Sequence, residues 1–307
     1  MTQPSPAGPA DRTGSDTIFV GVSTKMYLGY RDSLRWLGEL RQEVDARPAL
    51  AAGRVVPFVI PSFPLLPAAA DILAGSPALL GAQDCGWADG PWTGEVSPSL
   101  LAELGVSLVE IGHAERRRYF GEDNAMVALK VRAADDAGIT PLLCVGEGAE
   151  GPASGTNGGP GGLGSVSDDE PGSASASESA AAFVYRQIQA AAGGDWDLAS
   201  RLVIAYEPVW AIGAAEPAGA EYVTAVVRSL RTLLAGHRQQ SGRTLSDIPI
   251  IYGGSAKPGL LPTLDGVSGL FLGRFAHDAA NFGKVLDEAL ALSEALDSSE
   301  TPAPKTR

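Results

Sequence analysis

Short apolar runs recur along this chain with helical stretches between them, and few folds accommodate that rhythm. The candidate strands are 17–23, 55–60, 79–83, 107–111, 140–145, 202–206, 248–252 and 269–272, eight in all. Most read as continuous apolar runs, as strands covered on both faces do. The intervening stretches carry helical spacing. Val223, Val226, Val227, Leu230, Leu233 and Leu234 form one stripe. Asp123 is a fitting N-cap for a helix over 125–137, with Gly138 as its stop. Alternation of this kind predicts parallel β/α units.

Three segments lack the residues to pack. Residues 1–16 are rich in Pro, Gly, Ser and Thr, and 296–307 follow the end of a helix with a polar tail. The third is internal, 148–177, with nine Gly, six Ser and three Pro in thirty residues. It reads as a disordered surface insertion after the fifth strand, because it cannot bury enough surface to offset its conformational entropy. Closure entropy grows only logarithmically, so a long loop there is tolerated. What remains, 17–295 without the insertion, is close to the ~250 residues of an eight-stranded β/α barrel forming a single domain.

Acidic residues outnumber basic ones, 36 to 23, for a net charge of −13. That balance argues against a nucleic-acid binder, whose affinity rests on basic surface. A small phosphorylated ligand stays open, since a few backbone N–H groups can hold it. Two cysteines, Cys85 and Cys144, make no disulfide framework, and neither has a second Cys or a His nearby for a metal site. The proline-interrupted stretch 55–70 is no membrane span. The expectation is a cytoplasmic protein with no membrane partner.

In β/α barrels the reacting groups lie just beyond the C-terminal ends of strands. Those positions hold Lys25 after the first strand, His113 after the fourth and Glu207 after the sixth. Glycines gather after the sixth, seventh and eighth, where barrels commonly grip phosphate. A carboxylate, an imidazole and an ammonium together suit proton transfer next to a carbonyl: Glu207 removes the proton, His113 polarises the oxygens, and Lys25 stabilises the enediolate. Each has a plainer reading, as a solvated loop carboxylate, a structural imidazole or a surface amine. The Pro-Val-Trp after Glu207 and the Glu-Arg-Arg after His113 favour function. Glu115 with Arg116 or Arg117 reads equally as a supporting catalytic group or as a salt-bridge network. Cys144 reads as a buried structural thiol.

At these residues the chain resembles the triosephosphate isomerase family. Ala205-Tyr-Glu-Pro-Val-Trp-Ala-Ile-Gly213 matches the signature around that family's catalytic Glu and lid, and Ile111-Gly-His-Ala-Glu-Arg-Arg117 its His motif. Gly81-Ala-Gln-Asp84, Thr93-Gly-Glu95 and Tyr252-Gly-Gly-Ser255 match its third strand, the following loop and its phosphate loop. The resemblance spans roughly 17–295. It implies a TIM barrel, an isomerase without a cofactor, and a homodimer in which the loop from Asp84 to Glu95 reaches the partner subunit. By motif, Lys25, His113 and Glu207 become electrophile, acid/base and base, while Gly213, Ser255, Gly273 and Arg274 become phosphate contacts.

The departures from the pattern fall on substrate-contacting positions. The family's Asn two residues before the Lys is Ser23, the Ser of the His motif is Ala114, and the lid tip is Gly213-Ala-Ala-Glu216 followed by Pro217. The Gly-Gly after the eighth strand is Gly273-Arg274. Some of these features resemble the subgroup acting on tetrulose phosphates. Two substrates are therefore open, L-erythrulose 1-phosphate or a triose phosphate (dihydroxyacetone phosphate or glyceraldehyde 3-phosphate). The altered lid also leaves open a catalytically weak barrel that only binds phosphometabolites.

Overall fold

Eight parallel strands pair in chain order, and the eighth closes back on the first. They are β1 (Ile18–Ser23), β2 (Val55–Ile60), β3 (Leu79–Ala82), β4 (Leu108–Ile111), β5 (Thr140–Val145), β6 (Val203–Tyr206), β7 (Ile250–Tyr252) and β8 (Gly269–Leu272). Every strand predicted from sequence is present, with some ends trimmed by one or two residues. This computed structural model describes residues 17–148, 174–237 and 245–300. Among them the helices are α1 (Tyr30–Asp45), α2 (Leu66–Leu73), α3 (Pro98–Glu103), α4 (Ala114–Phe120), α5 (Asn124–Asp136), α6 (Ala174–Ala191), α7 (Trp196–Ala199), α8 (Ala220–Ala235) and α9 (Ala279–Glu300).

Strand alternation divides the core in two. Phe19, Val56, Phe58, Ile60, Leu79, Leu108, Leu142, Cys144, Val203, Ala205, Ile251 and Phe271 fill the barrel interior. Their neighbours Val20, Val59, Val109, Leu143 and Ile204 join the layer that packs against the helices. Phe58 takes space near the axis that Gly21 leaves empty, because a Cβ on Gly21 would sit 1.8 Å from the Phe58 ring. The same alternation turns Ser23 on β1 and Glu110 on β4 inward, one step above the apolar interior.

The helices follow their local signals. Asp123 accepts the Met126 N–H at 2.8 Å and caps α5, while Gly138 adopts a left-handed φ of 75° just beyond its end. On α8, Val223, Val226, Val227, Leu230 and Leu234 are buried. Leu233 instead lies on the flank of the stripe and is 40% exposed.

The tail 1–16 and residues 149–173 of the expected insertion lie outside the described residues. Residues 174–177, read as part of that insertion, form the first turn of α6, where Ala176 and Ser177 are buried. The burial of Ala176 and Ser177 is not visible in composition, which offers only small residues there. Likewise α9 runs on to Glu300, beyond the boundary expected at 295. No helix among the described residues is long and apolar enough to cross a membrane.

Candidate active site

The loop after β1 places Lys25 in a left-handed conformation, φ 47°, alone among the described non-glycine residues. That conformation costs on the order of 1–3 kcal/mol and persists only when the surroundings enforce it. Two side chains do so. Ser62 Oγ donates to the Lys25 carbonyl at 2.6 Å, and Gln83 Nε2 donates to it at 2.7 Å. The loops after β2 and β3 thereby fix the backbone of Lys25. Its ammonium pairs with Glu115 at 2.7 Å. Burial alone would lower the Lys25 pKa, but the Glu115 bond and charge, with Glu110 and Glu207, outweigh it and raise the value.

His113 ends the β4 segment and is buried. Its Nδ1 accepts the backbone N–H of Glu115 at 3.1 Å, at the start of α4. The proton of the neutral ring therefore sits on Nε2. Burial, reinforced by the Lys25 charge, pushes its pKa down to about 4 against the pull of Glu115. The ring is thus neutral at physiological pH, with an N–H donor facing Glu207, whose Oε2 lies 3.5 Å from Nε2.

Glu207 follows β6, with its N–H donated to the Val145 carbonyl. Its side chain is buried, and burial followed by the Glu110 charge holds its pKa well above the usual carboxylate range. Gly253, beyond β7, packs directly against it. A Cβ there would lie 2.5 Å from the Glu207 Cγ, so the first glycine of the Tyr252-Gly-Gly-Ser255 segment makes room for the carboxylate.

The segment after Glu207 is tied down at several points. Ser255 Oγ donates to the Ala214 carbonyl at 2.7 Å, and the Ala218 N–H donates to Tyr252 Oη at 2.9 Å. At its base, the buried Glu147 carboxylate accepts from Trp210 Nε1 at 3.2 Å and from Tyr222 Oη at 2.9 Å. Gly213 turns the chain at a φ of 70°. Ser255 therefore directs its hydroxyl to the segment that follows Glu207. Gly273 and Arg274 follow β8 on the same rim. Arg274 is exposed, and its guanidinium lies over the Tyr27 ring, 5.8 Å from the centroid.

Sequence reasoning left Glu115 open between two roles, and the structure shows which side chain it pairs with. Glu115 pairs with Lys25. Arg116 instead pairs with Asp84 and Glu122, in a buried network shared with Lys130. That network anchors the start of the loop from Asp84 to Glu95. Three further residues, Ser62, Glu147 and Glu110, went unremarked in the sequence, and Gln83 stood there only as part of the Gly81–Asp84 motif, without a role. Gln83 and Ser62 hold Lys25, and Glu147 holds the lid base. Glu110 is a charge interrupting the apolar run of β4, which was the one signal available for it. Its Oε1 lies 3.9 Å from His113 Nε2. Burial raises its pKa to about 8, against the opposing effects of Lys25 and the Ser23 hydroxyl.

A buried carboxylate, a neutral imidazole donor and an ammonium thus meet in one place. The arrangement can take a proton from carbon while stabilising the oxygens beside it. The family profile described as Triosephosphate isomerase matches residues 18–158 and 168–289. The chain belongs to the triosephosphate isomerase family. As a member it is an isomerase of the intramolecular oxidoreductase class, and membership implies a phosphorylated sugar substrate. Among similar proteins is the L-erythrulose-1-phosphate isomerase of Pectobacterium atrosepticum, 44% identical over 91% of this chain and 98% of the relative. That of Mycolicibacterium smegmatis is 37% identical over 91% and 95%. The crystal structure of triosephosphate isomerase from Bartonella henselae superposes with a TM-score of 0.66 at 29% identity, covering 88% of this chain and 98% of that one.

Proposed function

We propose that this triosephosphate isomerase family member interconverts L-erythrulose 1-phosphate and D-erythrulose 4-phosphate. The observation that carries the chemistry is the neutral His113, its Nε2 3.5 Å from the Glu207 carboxylate and its Nδ1 held beside Glu115 of the Lys25–Glu115 pair. The substrate rests on the 44% and 37% identity to L-erythrulose-1-phosphate isomerases, and on the substitutions Ser23 and Arg274 at positions that touch substrate in the family.

The reaction balances as a proton shift. Glu207 takes the hydrogen on C3 as a proton, the electron pair forms the C2=C3 bond, and the C2 carbonyl becomes an enediolate oxygen. Lys25 stabilises that charge, and His113 Nε2–H hydrogen-bonds the two adjacent oxygens and shuttles the proton between them. Glu207 returns its proton to C2, leaving the carbonyl at C3. Glu110 repels negative charge on Glu207, so a proton held by Glu110 leaves Glu207 the freer of the two to ionise. The raised pKa makes Glu207 a stronger base once ionised. The backbone around Gly213, Ser255, Gly273 and Arg274 grips the phosphate. With the Arg274 side chain directed over Tyr27, its N–H is left to the anion.

The family's dimer is proposed on the same footing. Met26 and Tyr27 on the loop after β1, Trp92 in the loop from Asp84 to Glu95, and Tyr119 and Phe120 at the end of α4 are all exposed large apolar residues. Such a cluster on one rim suits a protein interface.

Incubation with L-erythrulose 1-phosphate in deuterium oxide tests the reading. It predicts D-erythrulose 4-phosphate carrying solvent deuterium on the carbon that gains hydrogen. Absence of both turnover and exchange overturns it.

A further inference from the structure

Besides the Glu207 oxygen facing His113, two buried oxygens in this part of the fold lack a hydrogen-bond partner among the described residues: Ser23 Oγ and Glu110 Oε2. Ser23 and Glu110 are each only 4% exposed. Strand alternation turns both into the barrel, directly above its apolar interior. Their groups approach each other closely enough for the hydroxyl to influence the carboxyl, without completing a hydrogen bond. A buried polar oxygen left unpaired has lost its water without a replacement partner. Two of them beneath one catalytic centre point to a ligand group that pairs with both.

The barrel's symmetry says which group. The phosphate grip lies beyond β7 and β8, with the lid after β6. Glu110 stands on β4, diametrically opposite β8 in the closed order, whereas Ser23 stands on β1 beside β8 and joins the same place through the approach of its hydroxyl to the Glu110 carboxyl. A tetrulose phosphate carries its phosphate at one end and a hydroxymethyl group at the other. With the phosphate over β7 and β8 and the reacting carbons between Glu207 and His113, the remaining end extends toward β4. A hydroxyl both donates and accepts. A serine hydroxyl beside a carboxyl group that keeps its proton in this buried setting offers both complements.

Resting on the tetrulose reading above, we propose that Glu110 and Ser23 form the subsite for the terminal hydroxymethyl group, and so set the preference for a four-carbon over a three-carbon phosphate. The two residues touch the end of the substrate that does not react. Their contribution is therefore to discrimination, which is large when a polar site is built to pair with a hydroxyl.

The test is the ratio of kcat/KM for L-erythrulose 1-phosphate to that for dihydroxyacetone phosphate, with the triose followed as a competitive inhibitor (Ki) where its turnover is slow. Glu110→Leu and Ser23→Ala are each expected to lower this ratio by about tenfold or more. Glu110→Gln, which keeps a donor and an acceptor, should hold it within about threefold. Inhibition by glycerol 3-phosphate, measured in the same variants, reports whether the phosphate end is intact. An unchanged ratio in Ser23→Ala and Glu110→Leu, or equal losses on both substrates, overturns the subsite. Should Glu110→Leu not fold, Ser23→Ala decides alone. A wild-type enzyme that turns over the triose and not the tetrulose refutes the substrate reading instead, and that result is distinct from lost discrimination.

Discussion

His113 Nε2 and Glu207 Oε2 face each other across 3.5 Å, one from the end of β4 and the other from the end of β6, with neither side chain open to solvent. A base positioned this closely is sensitive to small displacement. Glu207→Asp withdraws the carboxylate by one methylene and should lower kcat on the order of 100-fold, with an unchanged circular dichroism spectrum. Turnover near the wild-type rate would remove Glu207 from the chemistry.

Gly253 enforces the same position from below. Gly253→Ala brings a methyl into the space of the Glu207 side chain. The clash is with a side chain rather than with backbone, so the barrel should fold while kcat drops about 10- to 100-fold. Steady-state kinetics beside a melting curve separate the two effects.

The protonation state of His113 is directly observable. Nitrogen NMR of the imidazole should show a neutral ring with its proton on Nε2 at pH 7, titrating near pH 4. An imidazolium at pH 7 would contradict the hydrogen bond that Nδ1 accepts from Glu115.

Glu110 makes stability depend on pH with a definite sign. Its pKa rises from 4.5 to about 8 on folding, so between those values the folded state binds more protons than the unfolded one. Stability therefore declines as pH increases from about 4.5 to 8, by at most about 1.4 kcal/mol per pH unit from this group. Glu110→Gln should flatten that part of the profile in urea denaturation measured at pH 5, 6.5 and 8. An identical slope in the variant would show that the group is not held protonated.

If the loop from Asp84 to Glu95 docks on a second subunit, Trp92→Glu should give a monomer by sedimentation velocity and reduce activity at least about tenfold, because the loops beside Lys25 lose their cover. A variant that sediments as the wild type does would place the interface elsewhere.

The barrel is legible in the sequence because strands covered on both faces become apolar runs, uninterrupted in most of the eight. Lys25, His113 and Glu207 stand out in the sequence because a barrel exposes the residues that follow its strands. What escaped detection depends on three-dimensional approach. Gln83 and Ser62 matter through a backbone carbonyl that no sequence pattern flags. Glu110 hid inside a strand, where a single charge reads as an interruption rather than as a group facing the reaction. The first turn of α6 is written in Ser and Ala, which look like linker until the surface that buries them is known.

The left-handed Lys25 is clamped through its carbonyl by side chains from the two neighbouring loops. The aim of the ammonium is consequently a shared property of three successive β/α units rather than of one residue. Lengthening or shortening either neighbouring loop would misdirect that charge without altering a single reacting group.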